Sequence, residues 1–575
     1  MKNLCYLLII TLTGFSCTKS FNRTNINPNQ FENATPEAII AGSIKRTSDL
    51  LANANMDYHW TSSHLLCIGG GSSRYGVGSD GFWEQSYVEI LGNLSQLDKK
   101  YSTTEGFNNK VQIGRIWQAY VYSILVGTYG PIPMQNALKP EAGSSILFDD
   151  EDVVYTSILT MLKDAGDKID VTKDKLSYDV LYTGDLLKWK KFANTLRLKI
   201  ALRCQKNLGA VARTHITEVM QAEANTISTE AETAKMGYEN IDGNQSPYYI
   251  RYVRNSFTQD IAPKMSDYIF TWFRSYNDPR LVAYYDSVPA INRYLLQDTL
   301  TSTMDDSLRI VTYRIPYFGY PKAPRLLPGW GLTSDPVGGL NILTYSDPKK
   351  TFLFTAEKPF IHLSYAEAMF MKAEAAKLGL GGAQTAEQYY NAGIDANFAN
   401  WGITGTAATN YKNQNGVKFG TSATGYYNYL GLVNTNIPED DMFKIWLQQW
   451  INYYPDGGFD TWCLERRTRV LELPPHTNPA NQFINATFSL LPNRWVYPTT
   501  VLNYNTPGYN DAVAKLGGDE RSPYVNLSFL QPLPNKDWNT QTAVLNFGFI
   551  QHWYGTTIQS LQNNGIAYTL IRTYK

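Results

Sequence analysis

Residues Lys110–Tyr129 read KVQIGRIWQAYVYSILVGTY and run directly into Gly130-Pro131-Ile132-Pro133. Ile113, Ile116, Trp117, Tyr120, Val121, Ile124, Leu125 and Tyr129 recur at steps of three and four, which is the spacing of one face of an α-helix. A glycine followed by two prolines cannot continue that helix, so the stop is abrupt. The same pattern recurs on both sides. Ala38–Asn53 is helical in period, and Thr35-Pro36-Glu37 supplies a cap and a proline suited to the first turn. Asp149–Ile169 carries acidic residues in its first turn, where they complement the helix dipole. Leu186–Cys204 and Val211–Met220 follow, then Ser364–Leu378, Ala386–Trp401 and Glu439–Tyr454.

Between these runs the chain changes character. Residues 225–360 are rich in proline and tyrosine with short β-prone runs such as Leu308–Tyr313, and one isolated helix is expected near Ala262–Tyr276. Beyond about residue 470 the chain is again loop-rich. Successive helices at this spacing imply a mainly α fold of tetratricopeptide-like hairpins, an α/α superhelix with long loops and a few short strands. A strict 34-residue repeat signature is absent. Long loops on a helical frame are where function concentrates.

The amino terminus sets the expected compartment. Lys2 precedes the apolar run LCYLLIITL (Leu4–Leu12), which is shorter than the roughly 20 residues a membrane-spanning helix needs. It has the form of a removable signal peptide, residues 1–16. Gly14 and Ser16 stand at the −3 and −1 positions of the cut, and the next residue is Cys17, a candidate for lipidation, although a lipobox usually has Leu where Gly14 stands. Several acyl chains on that thiol would anchor the protein stably, because each buried CH₂ contributes about 0.8 kcal/mol. The polar, Asn-rich stretch 17–35 then reads as a tether, 36–530 as the helical domain, and 531–575 as a C-terminal extension with no assigned role.

Composition narrows the function. Lys plus Arg and Asp plus Glu balance at 51 each, so no broad field draws nucleic acid. After signal removal Cys67, Cys204 and Cys463 remain beside Cys17, without CxxC spacing, and all three are expected as core residues. His59 and His64 miss the HExxH spacing of a helical zinc site, and no Gly-x-Ser-x-Gly elbow is present. The expectation is a binding protein with no catalytic residue, metal or cofactor.

Nine blocks in order carry a family resemblance. They are NPNQFENATPEAIIAGSI (Asn27–Ile44), RIWQAYVYSILVGTYGPIPM (Arg115–Met134), YTGDLLKWKKFANTLRLKIALR (Tyr182–Arg203), NDPR (Asn277–Arg280), SYAEAMFMKAEAAKLG (Ser364–Gly379), YYNAGIDANFANWG (Tyr389–Gly402), IWLQQWINYY (Ile445–Tyr454), TWCLERRT (Thr461–Thr468) and NRWVYP (Asn493–Pro498). Together they resemble the SusD/RagB family of outer-membrane nutrient-binding lipoproteins. The resemblance implies a lid-like partner of a SusC-like TonB-dependent transporter. Such a protein is lipid-anchored at the outer membrane on the cell surface, and it captures oligosaccharides or peptides for import. Thr18-Lys19-Ser20 lacks the acidic cluster that often accompanies surface export in such lipoproteins. An exported glycan hydrolase and a helical scaffold without a small ligand are the alternative readings.

Ligand contacts are expected in loops, where an aromatic ring can take the C–H face of a sugar and polar groups its hydroxyl rim. The glycine-rich stretch Gly69–Gly81 carries Arg74, Tyr75 and Asp80. The stretch Tyr313–Thr333 carries Tyr317, Tyr320, Lys322, Arg325 and Trp330. The alternative is that these aromatics merely anchor their own loops. Trp83, Trp117, Tyr120, Tyr129, Trp189, Phe192 and Leu196 are expected in the core, and Glu465, Arg466 and Arg467 as ion pairs fixing a loop to the frame.

Overall fold

Four of the long helices start where a side chain accepts from the free N–H groups of the first turn. A computed structural model describes residues 34–63, 65–68, 80–139, 145–255, 263–266, 269, 272–273, 276–287, 291–294, 312–315, 346–421, 440–469, 471, 492–518, 525 and 527–531. Numbering the longer helices in chain order, α1 is Pro36–Ala54, with the Thr35 hydroxyl accepting from the Ala38 amide and Pro36 in the first turn. Helix α2 is Asn108–Tyr129, and α3 is Glu151–Lys168. Helix α4 (Leu186–Arg203) is capped by Asp185, whose carboxylate accepts from the amides of Leu187 and Lys188. Helix α5 is Ala210–Gln221. Helix α6 (Tyr365–Lys377) is capped by Ser364, and α7 (Ala386–Asn400) opens on a capping box of Thr385 and Gln388. Helices α8 (Asp440–Asn452) and α9 (Gly458–Thr468) follow.

Neighbours in sequence pack on each other: α1 on α2, α2 on α3, α3 on α4, α4 on α5, α6 on α7 and α8 on α9. Helix α6 also packs on α4 and α8, joining the early and late groups into one frame. Helix α2 is its most buried member, with all but Arg115 and Gln118 inaccessible between Val111 and Tyr129. It ends as the sequence implies. Gly130 has φ +88°, and a Cβ there would lie 2.6 Å from Leu527 Cδ2, so glycine is required on both counts.

The aromatic richness is mostly core. Trp60, Trp117, Trp189, Trp272, Trp450, Trp462 and Trp495 are fully buried, seven of the chain's 13 tryptophans. Phe192 and Leu196 are buried as expected. A buried ionic group crosses the frame: Lys199 of α4 lies 2.7 Å from Asp460 of α9 and 2.9 Å from Glu367 of α6, and Arg203 lies 3.2 Å from Asp460. Cys204 and Cys463 are buried free thiols.

Three two-stranded antiparallel pairs complete the described structure: β1 (Leu66–Ile68) with β3 (Pro263–Met265), β2 (Ala234–Met236) with β6 (Phe360–Leu363), and β4 (Ile291–Tyr294) with β5 (Thr312–Ile315). The helix expected at 262–276 therefore gives way at its start to β3, because pairing with β1 satisfies that backbone instead. The region beyond 470 contains two short helices, Thr499–Tyr504 and Thr506–Lys515. Glu465, Arg466 and Arg467 sit on α9 rather than in a loop.

Candidate functional site

Of the residues expected to bind ligand, Arg74, Tyr75, Tyr317, Tyr320, Lys322, Arg325 and Trp330 lie outside the described residues, as does Cys17. Asp80 opens a short helix, Asp80–Glu84, and its side chain is likewise outside. The structure does describe where the two candidate stretches are rooted. Strand β1 ends at Ile68, directly before residues 69–79, and pairs with β3 in the register Leu66↔Met265, Cys67↔Lys264, Ile68↔Pro263. The Met265 amide donates to the carbonyl of Ser346 at 2.8 Å, and Ser346 directly follows residues 316–345. One small platform thus holds the chain that leads into the first stretch and, through Ser346, the chain that returns after the second. Ile315, at the other end of the second, closes β5 opposite Ile291.

The platform is held rigidly from below. The Tyr285 hydroxyl donates to the Leu65 carbonyl at 2.7 Å, and the Trp450 indole N–H donates to the Ser63 carbonyl at 2.8 Å. Tyr284 stacks on Tyr454 with ring centroids 4.5 Å apart and planes 12° from parallel. Backbone bonds from Asp286 to Asp347 and from Lys349 to Tyr284 pin the chain that enters after Ser346. Lys264 is buried and bonds to the Asp347 carboxylate, which also accepts Lys350 at 2.6 Å. Tyr285, Lys264 and Asp347 escape a reading of the sequence. Strands β1 and β3 are three-residue runs far apart in the chain, and no local pattern marks them.

At the far end of the first stretch, Phe82 is buried 5.2 Å from Trp495. Trp83 packs at 4.7 Å from Tyr87 and 5.0 Å from Tyr129, so it is half-buried against the core rather than within it.

The titratable groups in the core serve structure. His59 is enclosed by Phe459, Trp462 and Trp495, and burial, aided by the charge of Arg466, pulls its pKa down to about 3. His362 lies between the Ser48 and Tyr120 hydroxyls, 2.8 and 3.3 Å from its ring nitrogens, and burial holds it near 3 as well. Both rings are neutral at physiological pH. Arg467 forms the expected ion pair, bidentate to Glu374 at 2.6 and 2.7 Å. Arg466 donates to the carbonyls of Asn493 and Gly127, at 2.6 and 2.7 Å, and so ties the end of α2 to the C-terminal segment. Glu465 accepts the Leu471 amide at 3.0 Å. Among the described residues no group of His, Cys, Asp and Glu has the geometry of a metal site, and no helix is long and apolar enough to cross a membrane.

Residues 28–498 match the SusD-like_2 family, described as starch-binding and associating with the outer membrane. No curated protein matches the chain. Solved structures share its fold over most of the chain. A SusD-like protein of Bacteroidetes superimposes with a TM-score of 0.67 at 19% identity, over 87% of this chain and all of that one. A chitin-binding SusD homologue from Flavobacterium johnsoniae gives 0.64 at 20%, over 86% of this chain and 100% of its own. A SusD homologue from Bacteroides uniformis gives 0.62 at 20%, over 88% and 99%. A match across 28–498, with the fold carried by the same helical frame, makes the chain a member of the SusD-like family.

Proposed function

We propose that this protein captures oligosaccharides at the outer membrane and hands them to a SusC-like TonB-dependent transporter. The observation that supports the reading is that the chain before the first loop stretch and the chain after the second meet on the β1/β3 platform. Residues Arg74, Tyr75 and Asp80 belong to one stretch, and Tyr317, Tyr320, Arg325 and Trp330 to the other. A glycan is recognised by aromatic faces and by Arg, Asn and Asp on its hydroxyl rim. A stiff platform lowers the entropy cost of holding such groups ready. The helical frame then acts as support and as the face toward the barrel. Family membership favours glycan over peptide, since the family is described as starch-binding.

In this reading residues 1–16 are removed, Cys17 carries the lipid, 17–35 is the tether and 36–530 the binding domain. The test is purification of the tagged protein from its native membrane in mild detergent. The expected result is co-purification with a large β-barrel, and release of Cys17→Ala into the soluble fraction. Purification without any barrel partner argues against the transporter role. Retention of Cys17→Ala in the membrane argues against the anchor.

A further inference from the structure

The helical frame holds a second concave site, away from the β1/β3 platform. The end of α5, the turn Glu223–Asn225, Ser228, the start of α6 and the segment before α7 enclose a pocket of about 400 Å³. That volume falls in the range of small-molecule sites, roughly 300–1,000 Å³. Met369 and the rings of Tyr365 and Tyr389 give it apolar surface, while Gln221, Asn225 and Gln384 bring amides to its rim.

The lip is fixed in place. The Tyr389 hydroxyl donates to the Glu223 carboxylate and accepts the amides of Ala383 and Gln384 at 3.1 and 3.2 Å. Gly382 beside them has φ +115°, and a Cβ there would meet Met220 Cε at 2.9 Å. The pocket is therefore built before any ligand arrives.

Lys372 is the unusual member. It lines the pocket and is only 3% exposed, yet among the described residues its ammonium has one recorded contact, the Tyr389 ring at 5.9 Å. Its neighbours are otherwise engaged. Lys191 pairs with Glu232 at 2.6 Å, and Glu223 already accepts the Tyr389 hydroxyl. Burial lowers the Lys372 pKa, Glu223 opposes that effect, and Lys191 reinforces it. The side chain is largely buried with no protein acceptor among the described residues, and an anion bound in the pocket would supply one.

We infer that this pocket binds a small monocarboxylated sugar, a hexuronic acid, with its carboxylate on the Lys372 ammonium. With the Glu223 and Glu232 carboxylates beside Lys372 and Lys191, a monoanion is favoured over phosphate or sulfate. The ring faces and rim amides suit a hydroxylated, C–H-faced body. Unlike the loop platform, this site selects for charge.

The probes are D-glucuronate and D-glucose, titrated calorimetrically into the purified mature chain at constant ionic strength. Glucuronate should bind saturably, and glucose about tenfold more weakly or not at all, as loss of one charge-assisted contact implies. Lys372→Met should weaken glucuronate about tenfold. Ala224→Trp, an exposed position on the pocket wall, should block binding without disturbing the core, and it covers the case in which Lys372→Met fails to fold. Trp330→Ala should leave glucuronate binding intact, which separates this pocket from the oligosaccharide site. Equal affinity for both sugars, no binding of glucuronate, undiminished binding in Ala224→Trp, or loss confined to Trp330→Ala each overturns the inference.

Discussion

Arg280 is completely buried, and its charge is satisfied on every side. Asp278 accepts from its Nε at 2.9 Å and from its terminal nitrogen at 2.6 Å, Tyr411 and Gln448 accept at 2.8 and 2.9 Å, and the guanidinium lies 5.3 Å from the Phe398 ring. Removing one partner of a buried pair leaves an uncompensated charge, at a cost of about 3–5 kcal/mol. Asp278→Ala should therefore lower the unfolding free energy obtained from urea titration by about 3–5 kcal/mol, and a loss under about 1 kcal/mol would show that the other partners suffice. The NDPR block is plain in the sequence, but Tyr411 and Gln448 come from distant segments that no local pattern links to it.

His362 gives a second test at this scale. Its folded pKa of about 3 lies below the ordinary 6.5, so the unfolded chain binds the proton more readily. The stability it contributes is full above about pH 6.5 and is lost as the pH falls toward 3. At pH 5 the loss is about 2 kcal/mol. Glu151 titrates in the opposite sense, because burial pushes its carboxyl up to about 7, and its contribution falls as the pH rises through that value. Comparing His362→Gln with the parent cancels the Glu151 term. Between pH 7 and pH 5 the parent should lose about 2 kcal/mol more than the variant in chemical denaturation. Parallel curves would mean that His362 is not held neutral.

At the scale of elements, the α6/α7 hairpin depends on close approach at Gly393. A Cβ at that position would lie 2.5 Å from Phe370 Cε1. Alanine is the better helix former by about 1 kcal/mol, yet overpacking costs about 1–3 kcal/mol, so the two effects oppose each other. Gly393→Ala should destabilise the protein by thermal melting despite its helix propensity, and a raised Tm would show that Phe370 gives way easily. The long helices were legible because period, caps and stops all agree within one segment, as at Thr35-Pro36 and Gly130-Pro131. Strand β3 was not, since its pairing with β1 is a tertiary contact that overrides local preference in a three-residue run. Helix α9 was not read as a helix, although its Glu465–Arg467 were expected as ion pairs against the frame, and Glu465 and Arg466 are indeed buried.

Over the whole molecule, a helical frame supports a small β platform where the chain before one aromatic and Arg-bearing stretch meets the chain after the other. The family and the frame were readable from nine ordered blocks, each of which is weak alone. The candidate stretches were readable from composition, but that meeting was not, because it brings β1, β3 and Ser346 together from three distant parts of the chain. The proposed division of labour is capture by the loops and support by the helices. Its most direct test is calorimetric titration of the purified chain with a panel of oligosaccharides, with the glycans analysed by chromatography after prolonged incubation. The account predicts saturable binding of at least one glycan, recovered intact, and affinity weakened up to about tenfold in Trp330→Ala at unchanged thermal stability. Steady release of shorter saccharides, or undiminished affinity in Trp330→Ala, would contradict it.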